Sequence, residues 1–453
     1  KLKLKNNKKT VKWTVISGKK NVSLSKKGKA GVTIKGKKSG KAKVQAKIGK
    51  KKYVCKVTVK NPKKTQNSTA KSTAAPGSNT GTAAGKPSPT ASTEEPAKGP
   101  SDARNLKEII AKQRKVGATV SEDLQSDEYV WDGEYLEAIY WSDSKLTGTM
   151  DISCFDHLEH VECQENQLSE LDVTKCPSLH TLYCGDNQLS ELDVTKCPSL
   201  WDLGCSNNQL SELDVTQCPS LGYLYCGDNQ LSGLDVTKCP SLWGVECSNN
   251  QLSKLDMTPQ CASLEWLYCG SNQLSELDVT KCLSLWKLDC SNNQLSELDV
   301  TKCPSLGILE CSNNQLSELD VTKCPSLGGL YCNDNKLGNL DVSKCPGLEE
   351  LYCGGNQLSK LDVTKCPSLT WVRCGSNQLS ELDVTKCPSL ERLYCGSNQL
   401  SKLDVTKCPN LWDFDCSNNQ LSKLDLTNCT KLTELSCGAN VTVIGYTGEI
   451  KRI

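Results

Sequence analysis

The chain has 453 residues and a formal net charge of +2, but its charge is unevenly divided. Residues 1–60 carry 22 Lys and no Asp, Glu or Arg, which leaves 32 basic and 52 acidic residues in the rest. That acidic excess repels phosphates and argues against nucleic acid as a ligand, and no apolar run approaches the roughly 20 residues of a membrane-spanning helix. We therefore expect neither nucleic-acid binding nor membrane insertion.

Residues 1–60 alternate apolar and polar residues in short stretches, which predicts half-buried strands. The stretches at 11–13, 40–44 and 53–59, with Trp13 on an early strand, resemble a group 2 bacterial Ig-like domain, a small β-sandwich. The first strand of that domain is lacking and the chain starts with Lys, so we expect a truncated domain and a missing signal peptide. The lysines could contact an anionic cell wall, or simply coat a soluble domain.

Two segments precede the repeats. Residues 61–100 consist mostly of Pro, Ser, Thr, Ala and Gly, which cannot bury enough surface to fold, so they are predicted to form a disordered linker. Residues 102–116 predict an amphipathic helix with Leu106, Ile109, Ile110 and Val116 on one face. Asn105 and Glu108 have the spacing of a capping box, and Gly117 is predicted to end the helix. We assign 101–135 as an N-terminal cap, because a stacked array exposes its core at its ends.

From residue 136 the sequence repeats with a period of 21, through about fifteen units whose first residues run from Leu136 to Leu432. The first eleven residues of a unit follow the pattern LxxLxLxxNxL, with Cys in place of the third leucine. This pattern resembles the repeats of bacterial surface leucine-rich-repeat proteins, and in particular the internalins that carry a cysteine ladder. The resemblance implies a mainly β solenoid over 136–453, with a parallel sheet on its concave face and a short C-terminal cap.

Within one unit, alternation along the strand predicts that Leu182 and Cys184 point inward and Tyr183 outward. The Asn that recurs once per unit, as at Asn187, is expected to hydrogen-bond the loop backbone. The recurring Asp, as at Asp193, is expected to form an Asx-type turn with its Thr-Lys neighbours. A calcium site is the alternative, but one turn lacks the further carboxylates that calcium needs.

Almost all of the 29 Cys fall in two series with the repeat spacing. We interpret them as small buried apolar residues, because parallel side chains on neighbouring rungs have poor disulfide geometry. Paired Cys-x-x-Cys ligands are absent and only three His occur, so zinc is disfavoured. We expect no metal, no cofactor and no catalytic residue, and free thiols in this number suit a reducing habitat.

The strand positions that vary between units are rich in aromatic and acidic residues. Tyr and Trp dominate binding hot spots, and such rings on a solvated face suggest a ligand site, whereas the alternative is that they only stabilise the sheet. We expect the first six aromatic residues of the following set to form one patch, beside Glu246 and Asp289. The predicted ligand-binding residues are Tyr223, Tyr225, Trp243, Trp266, Tyr268 and Trp286, then Tyr331, Tyr352, Trp371 and Tyr394, with Glu246 and Asp289.

The resemblance implies a non-catalytic adhesin or other protein-binding module at the cell surface or outside the cell, in which the concave face contacts a protein ligand such as a host surface protein. We expect a monomer. A carbohydrate-binding surface protein is the first alternative, because flat rings beside carboxylates also suit sugars. A structural surface-layer or spacer component is the second. The acidic background favours a basic or neutral ligand.

Overall fold

The computed structural model describes six strands within residues 2–59, and residues 101–257 and 261–453. Contacts divide the chain into two compact units, Lys1–Ser92 and Thr93–Ile453. The linker predicted at 61–100 lies outside the described residues.

The strands of the first unit form two antiparallel sheets of three, with the strand orders β1-β4-β3 and β2-β5-β6. Val44, in the middle of β5, is buried. Strands are present as the alternation predicts, and the Ig-like assignment remains a prediction. The strands are β1 Leu2–Lys3, β2 Lys12–Ser17, β3 Val22–Ser25, β4 Gly31–Gly36, β5 Gly40–Ile48 and β6 Lys51–Val59.

The first described element of the second unit is one helix, α1, Ser101–Lys115. Leu106, Ile109 and Ile110 are buried as predicted, and Gly117 follows the helix with a φ of +107°. Two expectations were wrong. Val116 is 58% exposed, because it lies beyond the last helical residue, and the Asn105–Glu108 box lies inside the helix instead of at its start.

The rest of the second unit is built from short strands numbered in chain order. One 3-10 turn, Cys261–Ser263, interrupts them. The strands are β7 Tyr129–Asp132, β8 Tyr135–Tyr140, β9 Thr147–Asp151, β10 His160–Glu162, β11 Gln167–Asp172, β12 Thr181–Tyr183, β13 Asp202–Gly204, β14 Tyr223–Tyr225, β15 Gly244–Glu246, β16 Trp266–Tyr268, β17 Lys287–Asp289, β18 Ile308–Glu310, β19 Gly329–Tyr331, β20 Glu350–Tyr352, β21 Trp371–Arg373, β22 Arg392–Tyr394, β23 Asp413–Asp415, β24 Lys423–Asp425, β25 Glu434–Cys437, β26 Thr442–Ile444 and β27 Ile450–Arg452.

Most of these strands form one long sheet, in which each predicted repeat contributes one strand. The order is β7, β8, β10, β12 through β23, β25 and β27, and every pair is parallel except β7 with β8. Equivalent positions of successive units face each other, as Leu182 faces Leu203. Two further parallel pairs, β9 with β11 and β24 with β26, lie outside the long sheet. The described part of the second unit is therefore a β-solenoid.

The interior consists of stacked columns of residues that are nearly the same on every rung. Leu182, Cys184 and Leu192 are buried, and so are their counterparts in the following units. Most of the described cysteines are free buried thiols, as predicted, and Cys154 is free but exposed. One pair departs from the prediction, because Cys261 and Cys282 on neighbouring rungs form a disulfide. This exception falls where the sequence has one residue more than the usual 21 before Cys261.

The recurring Asn and Asp have the roles that the sequence predicts. The Nδ2 of Asn187 donates to the carbonyls of Cys163, at 2.9 Å, and Cys184, at 3.1 Å, while its Oδ1 accepts the Leu168 N–H at 2.9 Å. The Oδ1 of Asp193 accepts both the N–H and the Oγ1 hydroxyl of Thr195, at 2.9 and 2.7 Å. These two Thr195 hydrogen bonds hold the pKa of the Asp193 carboxyl below its usual value.

Candidate ligand-binding face

The outer face of the long sheet carries two side-chain columns, because each strand points its first and third residues away from the core. In β12, for example, Leu182 is buried while Thr181 and Tyr183 are half-buried. We call the third-residue series the Tyr183 column. The strand register stacks its members as Tyr183, Gly204, Tyr225, Glu246, Tyr268, Asp289, Glu310, Tyr331, Tyr352, Arg373, Tyr394 and Asp415.

An aromatic patch occupies the first half of this face, and we define it as Trp201, Tyr223, Tyr225, Trp266 and Tyr268. The Trp266 ring lies at its centre, with centroid distances of 6.3 Å to Tyr223, 5.5 Å to Tyr225 and 5.4 Å to Tyr268. Trp201 adds an edge contact to Tyr223 at 6.0 Å. All five side chains are half-buried, so each ring keeps part of its surface in water.

Glycines give the rings of the patch room to lie across neighbouring strands. A Cβ added at Gly244 would collide with the Trp266 indole, and one added at Gly222 would come within 2.5 Å of Trp201. The gaps in the side-chain columns are therefore filled by aromatic rings from the adjacent rung, which explains why Gly and aromatic residues occur together at the variable positions.

The predicted acidic neighbours of the patch bind backbone groups. The Glu246 carboxylate accepts the N–H groups of Gly227 and Ser248, both at 2.9 Å, and Asp289 accepts that of Ser291 at 2.9 Å. Their oxygens hold the turn beside the sheet, so only part of each carboxylate is free for a ligand.

Lys287 lies between Tyr268 of the patch and Glu310. The Nζ of Lys287 lies 5.1 Å from the Tyr268 ring centroid and 3.2 Å from an Oε1 of Glu310. This cation is therefore engaged on both sides.

A second cluster, which we call the arginine clamp, contains Tyr352, Trp371, Arg373, Arg392, Tyr394 and Trp412. The Arg373 guanidinium lies 5.0 Å from the Tyr352 centroid and 4.9 Å from that of Tyr394. The Arg392 guanidinium lies 3.9 Å from Trp371 and 4.2 Å from Trp412. Each cation is thus placed against two aromatic rings, an arrangement that the ring quadrupoles favour.

Tyrosine hydroxyls bind carboxylates along the same face. Tyr331 donates to Glu350 at 2.6 Å, Tyr183 donates to Asp202 at 2.6 Å, and Tyr394 donates to Asp413. Burial, followed by the Asp413 hydrogen bond, raises the pKa of Tyr394 to about 12. These phenols stay protonated at neutral pH and fix the direction of their rings.

The predicted site residues do not all come together. Tyr223, Tyr225, Trp266 and Tyr268 meet as expected, and Tyr331 contacts Tyr352 at 4.9 Å in a separate cluster. Trp286 is 53% exposed and lies over Gly307, and it stacks on none of the described rings, so its assignment to the patch was wrong. Trp243 is 37% exposed.

Sequence reasoning left out several residues that the structure places in these clusters. Trp201 and Trp412 both occupy the second position of their units, which is also the position of the predicted Trp243 and Trp286. This shared position could have identified them. Arg373 and Arg392 stand two residues from an aromatic position. The 21-residue period alone would have placed Arg373 between the rings of Tyr352 and Tyr394. For Arg392 it gives Trp371 on one side and Asp413 on the other, so the contact with Trp412 could not be read from it.

The described part of the chain contains neither a metal-binding cluster nor a membrane-spanning helix. Within residues 101–257 and 261–453 no group of three His, Cys, Asp or Glu is arranged to hold a metal ion. No helix among the described residues is long and apolar enough to cross a membrane.

A solenoid of parallel strands with leucine, cysteine and asparagine ladders defines this chain as a leucine-rich-repeat protein. The functional domain of InlJ from Listeria monocytogenes, which includes a cysteine ladder, is 34% identical, with a TM-score of 0.65 over 68% of this chain and 68% of that one. The chain belongs to this internalin-like, cysteine-ladder family of leucine-rich-repeat proteins.

Two further solved structures are similar. A leucine-rich-repeat protein of Leptospira interrogans is 25% identical, with a TM-score of 0.57 over 63% of this chain and 79% of that one. YopM, a leucine-rich effector protein from Yersinia pestis, is 30% identical, with a TM-score of 0.55 over 63% and 79%. No protein-family model and no curated protein matches the chain.

Proposed function

We propose that this chain is a non-catalytic protein-binding module of a bacterial cell, exposed at the surface or secreted, and that it acts as an adhesin or host-interaction protein. The proposed binding surface is the solvent-facing side of the long sheet, which is the predicted concave face of the repeats. The observation that carries the proposal is the aromatic patch, where five half-buried rings share one solvated surface.

Ring-to-ring contact explains only part of this arrangement. The contacts around Trp266 join rings within the sheet face, and cross-strand pairs of this kind stabilise sheets. The parts of the rings that remain in water gain nothing from those contacts. Tyr and Trp offer a partner large contact areas at low entropic cost, which is why they dominate interface hot spots.

The similar proteins support a role in interaction. InlJ and YopM are bacterial leucine-rich-repeat proteins, and YopM is described as an effector. We include in the proposal a monomeric chain, an N-terminal cap at 101–135, a linker at 61–100 and contact of residues 1–60 with an anionic cell wall. A glycan ligand and a purely structural role are the competing functions.

The test is binding of the full chain to host cells, isolated host surface proteins, mucin and a glycan panel. A variant with Tyr225→Ala, Trp266→Ala and Tyr268→Ala removes the centre of the patch, and Trp286→Ala is the matched control for loss of one aromatic side chain outside it. We expect the triple variant to lose binding to a protein target by at least about thirtyfold, which corresponds to one hot spot of about 2 kcal/mol, while the control retains it.

Circular dichroism of both variants checks folding. Equal binding by the folded triple variant and the native chain would remove the patch from the function. Selectivity for a glycan would favour the carbohydrate-binding alternative, and self-assembly without any ligand would favour the structural one.

A further inference from the structure

The Tyr183 column contains the same arrangement of tyrosines twice, with different residues between them. Tyr352 and Tyr394 lie two rungs apart, and Arg373 occupies the rung between them. Tyr183 and Tyr225 also lie two rungs apart, and Gly204 occupies the rung between them. In the first case the guanidinium fills the space between the two rings. In the second, the rung between supplies no side chain, and the Tyr183 ring leans over its glycine.

The Tyr183 ring covers part of Gly204, and the space between that ring and Tyr225 stays open. A hollow of about 330 Å³ lies there, and we call it the open slot. Tyr183 leans over Gly204, because its hydroxyl is held by Asp202, and the Tyr225 ring forms the opposite wall. The residues lining the slot are Gln164, Tyr183, Gly185, Gly204, Ser206 and Tyr225.

The polar groups of the open slot are suited to a hydrogen-bond donor with a positive charge. The Oε1 of Gln164 is buried and has no hydrogen-bond partner, and an unmatched acceptor of this kind favours a donor. None of the lining residues is a cation. The neighbouring side chains of the same column are the carboxylates Glu162 and Glu246, one beyond each end of the slot. Glu162 pairs with His160 at 2.8 Å and Glu246 accepts two backbone N–H groups, so both act on the slot through their charge and not as free ligands.

We propose that the open slot binds an arginine side chain of the protein ligand. The chain provides its own template, because Arg373 shows that two tyrosines at this spacing hold a guanidinium about 5 Å from both ring centroids. The inference rests on the proposed function and names the chemistry of one contact within it. The slot also adjoins the aromatic patch, since Tyr225 belongs to both.

The test uses the full chain and three short peptides in a neutral Gly-Ser background. Their central residue is arginine, citrulline or glutamate, and citrulline keeps the planar shape of arginine without its charge. Binding is followed through the side-chain signals of isotopically labelled tyrosines, assigned with Tyr183→Phe and Tyr225→Phe. We expect the arginine peptide to bind about fivefold to thirtyfold more tightly than the citrulline peptide, as two exposed cation–π contacts require.

Two substitutions exchange the two arrangements. Gly204→Arg should fill the open slot from within and abolish arginine-peptide binding. The backbone of Gly204 lies outside the left-handed region, so this position tolerates a side chain once the Tyr183 ring turns away. Arg373→Gly should open a second slot between Tyr352 and Tyr394 and raise the number of bound peptides from one to two. Gly233→Arg is the matched control, because Gly233 faces open space elsewhere.

Equal affinity for the arginine and citrulline peptides overturns the proposal, and so does unchanged binding in Gly204→Arg. The same variant separates this inference from the proposed function. If Gly204→Arg keeps the protein target that the triple patch variant loses, the slot assignment fails and the binding face stands. If both variants keep the target, both proposals fail.

Discussion

The inside and the outer face of the solenoid follow opposite rules. Inside, each unit repeats the same leucines, cysteines and asparagine, because every rung must fit the rung before it and the rung after it. On the outer face, the Tyr183 column changes from tyrosine to glycine, carboxylate and arginine without altering the strand register. The repeated residues therefore determine the fold, whereas the variable columns can change from rung to rung without disturbing it.

Alkaline pH should have the largest effect, because it acts on the interior of every unit at once. Burial raises the pKa of Cys163 to about 12 and that of Cys218 to about 11. The unfolded thiols ionise near 8.5, so the folded protein holds the extra protons and stability is lost as pH rises above about 9. We expect the free energy of unfolding to fall by about 1.4 kcal/mol per pH unit for each thiol exposed.

Urea unfolding between pH 7 and 11 measures this effect. Cys332→Ala, which removes a thiol whose pKa burial raises to about 12, should release one proton fewer on unfolding. A urea midpoint that stays constant up to pH 10.5 would show that the ladder does not titrate as free thiols.

Loss of a single asparagine from the interior should have the next largest effect. The Nδ2 of Asn293 donates to the carbonyls of Cys269, at 3.0 Å, and Cys290, at 3.1 Å, and its Oδ1 accepts the Leu274 N–H at 2.9 Å. Asn293→Ala leaves these buried groups unpaired, at about 1–3 kcal/mol each, so we expect a destabilisation of about 3 kcal/mol or more.

The neighbouring Gln294→Ala provides the control, because this exposed side chain should change stability by less than about 0.5 kcal/mol. Chemical denaturation of the two variants beside the native chain gives both values. Similar stabilities would mean that the asparagine ladder is dispensable.

A turn on the other side of the coil should show the smallest of these effects. The Oδ1 of Asp299 accepts the N–H and hydroxyl of Thr301, at 2.8 and 2.6 Å, and these bonds lower the pKa of the carboxyl. Asp299→Ala should cost about 1 kcal/mol at pH 7. The lowered pKa means that the carboxylate stabilises the fold above its unfolded pKa near 3.9 and loses this contribution as pH falls.

The difference in stability between the native chain and Asp299→Ala should therefore become smaller as the pH falls. Thermal unfolding at pH 7 and pH 3 measures this difference, and Glu297→Ala, which removes an exposed acidic residue two positions earlier, controls for the loss of surface charge. A stability difference that is equal at both pH values would assign the effect to something other than the ionised Asp299.

The sequence was sufficient for features that recur in every unit. The inward direction of Leu182 and Cys184, the bonds of Asn187 and the Asx turn at Asp193 could all be predicted, because the same physical requirement is repeated on each rung. The 21-residue period also indicates which outward residues share a column.

Features that occur once were harder to predict. The period does not give the direction in which a ring leans, so Trp286 was expected in a patch that it does not join, and Trp201 was missed. Helix α1 shows the same limit. The capping-box spacing at Asn105 suggested a cap inside the helix, which in fact starts at Ser101. The Asp102 carboxylate near that start accepts the distant Leu136 N–H at 2.9 Å, a contact that no local pattern indicates.

The spacing of the rungs has a consequence for any extended ligand lying along the solenoid. Adjacent strands are roughly 4.8 Å apart, so two rungs advance about 9.6 Å, whereas three residues of an extended chain advance about 10 Å. The two lengths come back into phase at every second rung and every third residue. An extended peptide lying along the solenoid would therefore place every third residue opposite one of the tyrosines Tyr183, Tyr225 and Tyr268, which lie two rungs apart.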